Sequence, residues 1–263
     1  MRPRTLVAAC LAAVLLTGCA QSVDPIERLG KKAVQRVSPY GPARADGRPY
    51  RHWGLPAPLP APPRMPARTT ARRGGLPPVV RRVETSDKVV FLTYDDGAEK
   101  DPRFVELVRE LRLPVSMFLT DSVVGPGYGH FARLRSVGAS IQNHTLDHPA
   151  LRGLPYPGQR AEICGQQEKV RSRFGIRPRL FRPPYGTYDR TTLRAAADCG
   201  LSAVVLWSVS LRGGTPERPL RAGDIVSVAS GEATGPTLTE RTTRVLREIQ
   251  RGGLTVARLE DYL

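Results

Sequence analysis

The sequence predicts a parallel α/β fold of about seven strands, a barrel or near-barrel rather than an open sheet, and three observations carry that prediction. From Ser86 to Leu263 short apolar runs alternate with amphipathic stretches. Strands separated by helices build parallel sheets, because each return crossover needs a helix's length of chain. Seven runs have the length and composition of strands, a number nearer to a barrel than to a small open sheet. Four polar clusters each fall at the C-terminal end of such a run, the end at which α/β barrels assemble their sites.

The elements follow in order. Lys88–Thr93 is the first strand, and Pro102–Leu111 is a helix burying Phe104, Val105, Leu107, Val108 and Leu111. Val115–Leu119 is the second strand, His130–Val137 a short helix and Ser140–Gln142 the third strand. A helix over Gln159–Phe174 leads to a brief strand at Arg179–Phe181, and Thr191–Cys199 is a helix before strand Ser202–Trp207. Ile225–Val228, the helix Glu240–Gln250 and Leu254–Ala257 complete the domain. Continuous apolar runs, rather than strict alternation, suit strands covered on both faces.

Ahead of residue 86 the composition changes. The 263-residue chain carries 40 Lys+Arg against 24 Asp+Glu, a formal net charge of +16. Residues 1–85 hold fifteen of those basic residues and only four of the acids, so the basicity says little about a site in the remainder. An apolar fraction of 40% excludes a wholly disordered chain, and four cysteines in this length exclude a small disulfide scaffold. Residues 1–18 have the layout of an export signal: Met1-Arg-Pro-Arg as the basic start and Leu6–Leu16 as the apolar stretch. Leu16-Thr17-Gly18-Cys19 resembles a bacterial lipobox, which implies cleavage before Cys19 and lipidation of its sulfur; an ordinary secretory peptide with a chance cysteine is the alternative. Residues 19–85, with twelve prolines, read as a Pro/Arg-rich disordered tether of polyproline II character. Its arginine pairs, Arg72-Arg73 and Arg81-Arg82, would lie against anionic lipid or wall polymer, or serve only to solubilise. The expected location is the outer face of a bacterial cytoplasmic membrane, held by the lipid anchor, as a monomer without a nucleic-acid partner.

The polar clusters carry the chemistry. Thr93-Tyr-Asp95-Asp96-Gly97 follows the first strand and Asn143-His144-Thr-Leu-Asp-His148 the third. Phe181-Arg182-Pro-Pro-Tyr185-Gly186 follows the fourth, and Trp207-Ser208 ends the fifth. Each alone has a bland explanation: paired acids cap helices, an HxxxH spacing arises by chance, and consecutive prolines make rigid turns. Their shared topological position points instead to one site. Two imidazoles and one carboxylate leave coordination positions open on a divalent ion, and His144, His148 and Asp96 supply that set. Asp95, beside a ligand, is free to take a proton from a water that the metal has acidified. Arg182 is suited to pair with Asp95, keeping it ionised and oriented.

Thr93–Gly97, His144–His148 and Arg182–Tyr185 resemble the first three motifs of the NodB-homology polysaccharide deacetylases, carbohydrate esterase family 4, and the similarity spans about residues 86–263. The resemblance implies an α/β fold in the form of a distorted (β/α) barrel of about seven parallel strands that removes acetyl from N-acetylated or O-acetylated sugars in cell-wall or extracellular polysaccharide. Carried over by position, Asp95 is the catalytic base, Arg182 orients it, and Asp96, His144 and His148 hold zinc, with cobalt, nickel or manganese as alternatives. The Tyr185 backbone N–H stabilises the oxyanion and Trp207 lines the sugar pocket.

Two positions depart from the family pattern. In Gly223-Asp-Ile-Val-Ser-Val-Ala229-Ser230, Ala229 stands where the family places a general-acid histidine, and Ser210 stands where it places the acid that tunes that histidine. Glu232 is a candidate substitute acid. Two readings therefore stand: a metal-dependent deacetylase, slow or with an unconventional acid, and a metal-containing glycan-binding pseudoenzyme. The remaining cysteines, Cys164 and Cys199, are expected to form a disulfide in an exported protein, with two buried free thiols as the alternative.

Overall fold

The computed structural model describes residues 49–63, 75–212, 214–229 and 235–263. The expected signal peptide, Cys19, the Arg72-Arg73 pair and Glu232 lie outside the described residues. The order of elements is α1 (Pro49–His52), β1 (Val79–Val80), β2 (Val89–Asp96), α2 (Pro102–Leu111), β3 (Val115–Leu119), α3 (Asp121–Val124), α4 (Tyr128–Ser136), β4 (Ser140–Asn143), α5 (Tyr156–Phe174), β5 (Leu180–Phe181), α6 (Arg190–Asp198), β6 (Ala203–Val205), β7 (Val209–Arg212), β8 (Thr215–Pro216), β9 (Ile225–Val228), α7 (Leu238–Arg251) and β10 (Thr255–Val256).

The strands lie side by side as β1-β6-β5-β4-β3-β2-β9-β7-β8, with β10 against the start of β2. Among the named strands every pairing is parallel except β7 with β8. The sheet is a curled half-barrel. Its register fixes the site: β2 runs beside β3 with Asp96 opposite Leu119, and beside β9 with Tyr94 opposite Val228. Residues 89–94 of β2 are all buried, so the strand is covered on both faces, as its unbroken apolar run requires.

The helices begin and end where their sequences provide caps. Asp101 accepts the Arg103 N–H at the start of α2, Pro102 occupies the first turn, and Arg112 closes the helix in a left-handed conformation. Asp189 with Thr192 and Thr237 with Glu240 form reciprocal capping boxes at α6 and α7. The apolar stripe of α7, Leu238, Val245, Leu246 and Ile249, joins Phe104, Leu107 and Val108 of α2 in the main core.

The N-terminal boundary differs from the expected one. Trp53 and Leu55 are buried in the main core, and α2 and α7 hold the segment: Trp53 Nε1 donates to Glu110 at 2.8 Å, Arg247 Nε to the Gly54 carbonyl at 2.9 Å and Gln250 Nε2 to the Ala57 carbonyl at 2.7 Å. Val79–Val80 is an outer strand of the sheet, and Arg82 donates to the Ala222 carbonyl. Residues 49–63 and 75–85 therefore belong to the domain rather than to a tether reaching residue 85. Among the described residues no helix is long and apolar enough to cross a membrane.

Candidate active site

The chain turns sharply after β2. Asp96 and Gly97 both take positive φ, 64° and 80°. A Cβ on Gly97 would lie 2.9 Å from Phe131 and 3.0 Å from Leu119 and Val124, so only glycine fits under the turn. This bend directs Asp95 and Asp96 to different partners. Thr145, His148 and Tyr185 are also left-handed, at φ of 74°, 59° and 58°. Four of the five non-glycine residues of this kind among those described thus surround one spot; the fifth, Arg112, is a helix cap. Conformations costing about 1–3 kcal/mol each persist where surrounding contacts over-determine them.

Those contacts are visible in the loop after β4. The Thr145 N–H donates to Asn143 Oδ1 at 3.0 Å, the Leu146 and Asp147 N–H groups to Glu162 Oε2 at 3.1 and 3.0 Å, and the His148 N–H to Thr145 Oγ1 at 3.1 Å. Thr120 Oγ1 donates to the His144 carbonyl at 2.8 Å. Helix α5 is drawn close to this loop, and Gly165 permits the approach: a Cβ there would collide with Leu146 Cδ1.

Asp96, His144 and His148 are brought together, one ligand atom from each lying within 4.8 Å of the others. The two Nε2 atoms sit 3.2 and 3.1 Å from Asp96 Oδ1. That oxygen is buried and outside hydrogen-bonding geometry with either ring. His144 Nδ1 lies 2.7 Å from the Arg182 carbonyl, which fixes the Nδ1–H tautomer and leaves the Nε2 lone pair toward Asp96. Three donor atoms that converge on a point without bonding one another are what a cation-binding set requires, so these residues fit a divalent metal. Burial alone would raise the Asp96 carboxyl, but the two imidazoles, when protonated at Nε2, outweigh it and hold the group well below the usual carboxylate range. The Asp96 carboxylate in turn raises His148, against the opposing effect of burial.

Asp95 is held from both sides. Arg182, fully buried, donates Nη1–H to Asp95 Oδ1 at 2.6 Å and to Thr93 Oγ1 at 2.9 Å. Its Nε and Nη2 donate to the carbonyls of Val205 and Leu206, both at 3.2 Å, and its plane lies 4.3 Å from the centre of the Phe118 ring. Ser227 Oγ donates to Asp95 Oδ2 at 3.1 Å. Ser227 and Thr93 carry roles that the sequence reading missed. A serine inside the apolar run Ile225–Val228 was the available signal for the first.

Tyr185 follows Arg182 on a 3₁₀ turn, 65% exposed, its ring edge-on to His148 at 4.7 Å. Trp207 leaves β6 beside Gly186 and lies 5.6 Å from the Arg182 guanidinium. Ala229 is exposed one residue beyond the Tyr94–Val228 pair, at the edge of the site next to Asp95. Ser210 sits in β7, paired with Ser227 of β9. Beyond the two ligands the chain has only two histidines: His52 in α1, near Glu110, and His130, buried in α4. Cys164 of α5 and Cys199 at the end of α6 are joined by a disulfide with Cα atoms 5.0 Å apart.

Residues 82–204 match the polysaccharide deacetylase family model. An uncharacterized protein of Streptomyces coelicolor is 60% identical over 207 residues, covering 75% of this chain and 82% of its own. The chain belongs to the polysaccharide deacetylase family. A chitin deacetylase of Cryptococcus neoformans is 30% identical over 168 residues, 63% of this chain but only 35% of that protein's length. A family 4 carbohydrate esterase from Bacillus anthracis shares the fold, with a TM-score of 0.61 at 21% identity, covering 70% of this chain and 86% of that one. The family is one of hydrolases, and this domain brings together Asp96, His144 and His148, a group that could hold a metal ion.

Proposed function

We propose that the protein removes acetyl groups from N-acetylated, and in some substrates O-acetylated, glycan of the cell wall or extracellular matrix, using a divalent metal. The observation that carries this reading is the separation of labour between adjacent carboxylates: Asp96 faces two imidazoles, while Asp95 faces Arg182 and Ser227. Asp96, His144 and His148 would hold the ion, with zinc the first candidate and cobalt, nickel or manganese compatible with the same donors. Bound there, the ion supplies Lewis acidity to an acetyl carbonyl and to a water.

The chain's own residues do the rest. Asp95, ionised and fixed by Arg182 and Ser227, takes the proton of the attacking water. Tyr185, in its left-handed conformation, offers its backbone N–H to the developing oxyanion. Trp207 forms an apolar wall for a sugar ring. The departing nitrogen must gain a proton, and Ala229 has none to give. General acid catalysis is typically worth about 10²–10⁴-fold, so a slow enzyme is expected.

The exposed Ala229 also supports a second reading, a metal-containing glycan-binding pseudoenzyme. Acetate release from peptidoglycan fragments and N-acetylglucosamine oligomers by the metal-loaded protein, with Asp96→Ala as blank, separates the two. Release above the blank establishes the deacetylase. Metal and glycan binding without release establishes the pseudoenzyme. The basic, apolar leader ending in Cys19 supports a lipid-anchored location at the cell surface, facing such polymers, with the protein acting as a monomer. Labelling of the cells with a radioactive fatty acid, lost in Cys19→Ala, tests the anchor.

A further inference from the structure

The two histidines that face Asp96 stand at the two ends of one short loop, His144–His148, and the middle of that loop rests on a carboxylate. Glu162 Oε2 accepts the Leu146 N–H at 3.1 Å and the Asp147 N–H at 3.0 Å. Consecutive N–H groups aimed at one point make a concave anion site, and the left-handed Thr145 just before them bends the backbone into it. The remaining contacts hold other parts of the loop. Asn143 and Thr145 side chains take the Thr145 and His148 N–H groups, Thr120 Oγ1 donates to the His144 carbonyl, and the Ser122 N–H donates to the Leu146 carbonyl at 2.9 Å.

Glu162 is presented by a rigid frame. It lies beyond the first turn of α5, so it does not cap the free N–H groups of its own helix. On either side of it, α5 is fastened to the strand ends that carry the site. The Ile163 carbonyl accepts Asn143 Nδ2–H at 2.9 Å, and Gln166 Nε2 donates to the Leu119 carbonyl at 2.5 Å. That same carbonyl accepts the His144 N–H at 3.1 Å. Cys164 ties this turn of α5 to Cys199 at the end of α6. The half-buried carboxylate therefore meets the loop from a fixed position rather than from a swinging surface side chain.

We propose that Glu162 is a positioning residue for the metal site, its side-chain oxygen pre-forming the His144–His148 loop so that both imidazoles face Asp96 before a cation arrives. The inference rests on the metal-binding reading of Asp96, His144 and His148. A loop already in its bound shape spares the ligand the entropy of ordering it. Groups that orient metal ligands from behind typically change metal affinity about 10–100-fold when removed. Acceptor geometry, not charge, is what the two contacts use: both N–H groups meet one oxygen, and an amide oxygen in the same place accepts them too.

The test is the zinc affinity of the purified protein, by competition with a chromophoric chelator, together with amide hydrogen exchange at Leu146 and Asp147 in the metal-free state. Glu162→Ala should bind zinc about 10–100-fold more weakly and exchange both amides faster, with its circular dichroism unchanged. Glu162→Gln should stay near the parent in both readouts. If the alanine variant fails to fold, Glu162→Asp, which withdraws the acceptor by one methylene, takes its place with the same expectation. Zinc binding in the alanine variant as tight as the parent's overturns the inference. So does a glutamine variant that falls as far as alanine, since the effect would then belong to charge. A parent that binds no more zinc than Asp96→Ala overturns the metal site and this inference with it. Acetate release is not read, so failure of the deacetylase reading is told apart from failure of this one.

Discussion

Arg182 Nη1 lies 2.6 Å from Asp95 Oδ1, inside a cage that satisfies the rest of the guanidinium with Thr93, Val205 and Leu206. The pair joins the ends of β2 and β5, so the charge that orients the base also ties two strands together. Arg182→Met should therefore damage both functions. Leaving Asp95 unpaired in this setting costs about 3–5 kcal/mol. Thermal unfolding should show a large drop in Tm alongside loss of acetate release. A variant with unchanged Tm would contradict the buried-pair description.

Ser227→Ala removes the donor to Asp95 Oδ2 and nothing else that the structure shows at that hydroxyl. One hydrogen bond to a charged group is worth about 1.5–3 kcal/mol. We expect kcat to fall about tenfold or more while KM stays near its parent value, because the base loses a donor that fixes it. A kcat equal to the parent's would show that the serine does not act on Asp95.

The Gly165 contact makes the ligand loop sensitive to a change on the face of α5 that packs against it. In Gly165→Ala the new methyl meets Leu146 Cδ1, so the Leu146 side chain must shift within the loop that carries His144 and His148. Metal affinity should weaken while the helix itself, given the better propensity of alanine, remains intact. Zinc titration and far-ultraviolet circular dichroism measure the two effects separately.

His130 gives a pH dependence of known sign. Burial, assisted by Arg133, pushes its imidazole down to about 4 from the ordinary 6.5. The folded state therefore favours the neutral ring. The stability this provides is complete above pH 6.5, shrinks as pH falls because the unfolded chain takes up the proton first, and is gone near pH 4. Between pH 7.5 and 5, His130→Gln should lose less urea stability than the parent, both measured without metal. Equal losses would place the pH dependence elsewhere.

Reducing the Cys164–Cys199 bridge opens a loop of 35 residues that contains the Arg182 turn. In the chain-entropy model this costs about 3–4 kcal/mol. Dithiothreitol should lower the unfolding midpoint accordingly, and Cys164→Ala/Cys199→Ala should match the reduced parent.

The elements that carry chemistry were legible because their sequences combine an apolar run with an unusual polar ending. Val115–Leu119 and Ile225–Val228 are strands with the expected bounds, and Pro102–Leu111 is a helix with the expected bounds. What escaped had no such contrast. Residues 49–63 show neither period, since the segment packs through an isolated Trp53 and Leu55 rather than through a stripe. Strand β7, Val-Ser-Leu-Arg, is too short and too polar to stand out after Trp207. Glu162 looks like an ordinary surface acid of α5, and only the fold shows it holding two N–H groups of the ligand loop. The acidic pair that ends β2 announced a site, but the sharp turn that gives its two members different partners became visible in the backbone alone.

The central claim is the division between Asp95 as base and Asp96 as ligand, and Asp95→Asn tests it most directly. With zinc loaded and metal content measured, the variant should bind one ion per chain as the parent does, yet release acetate from N-acetylglucosamine oligomers about 10²-fold more slowly or not at all. A variant that keeps the parent's rate, or one that loses its metal, would contradict the assignment.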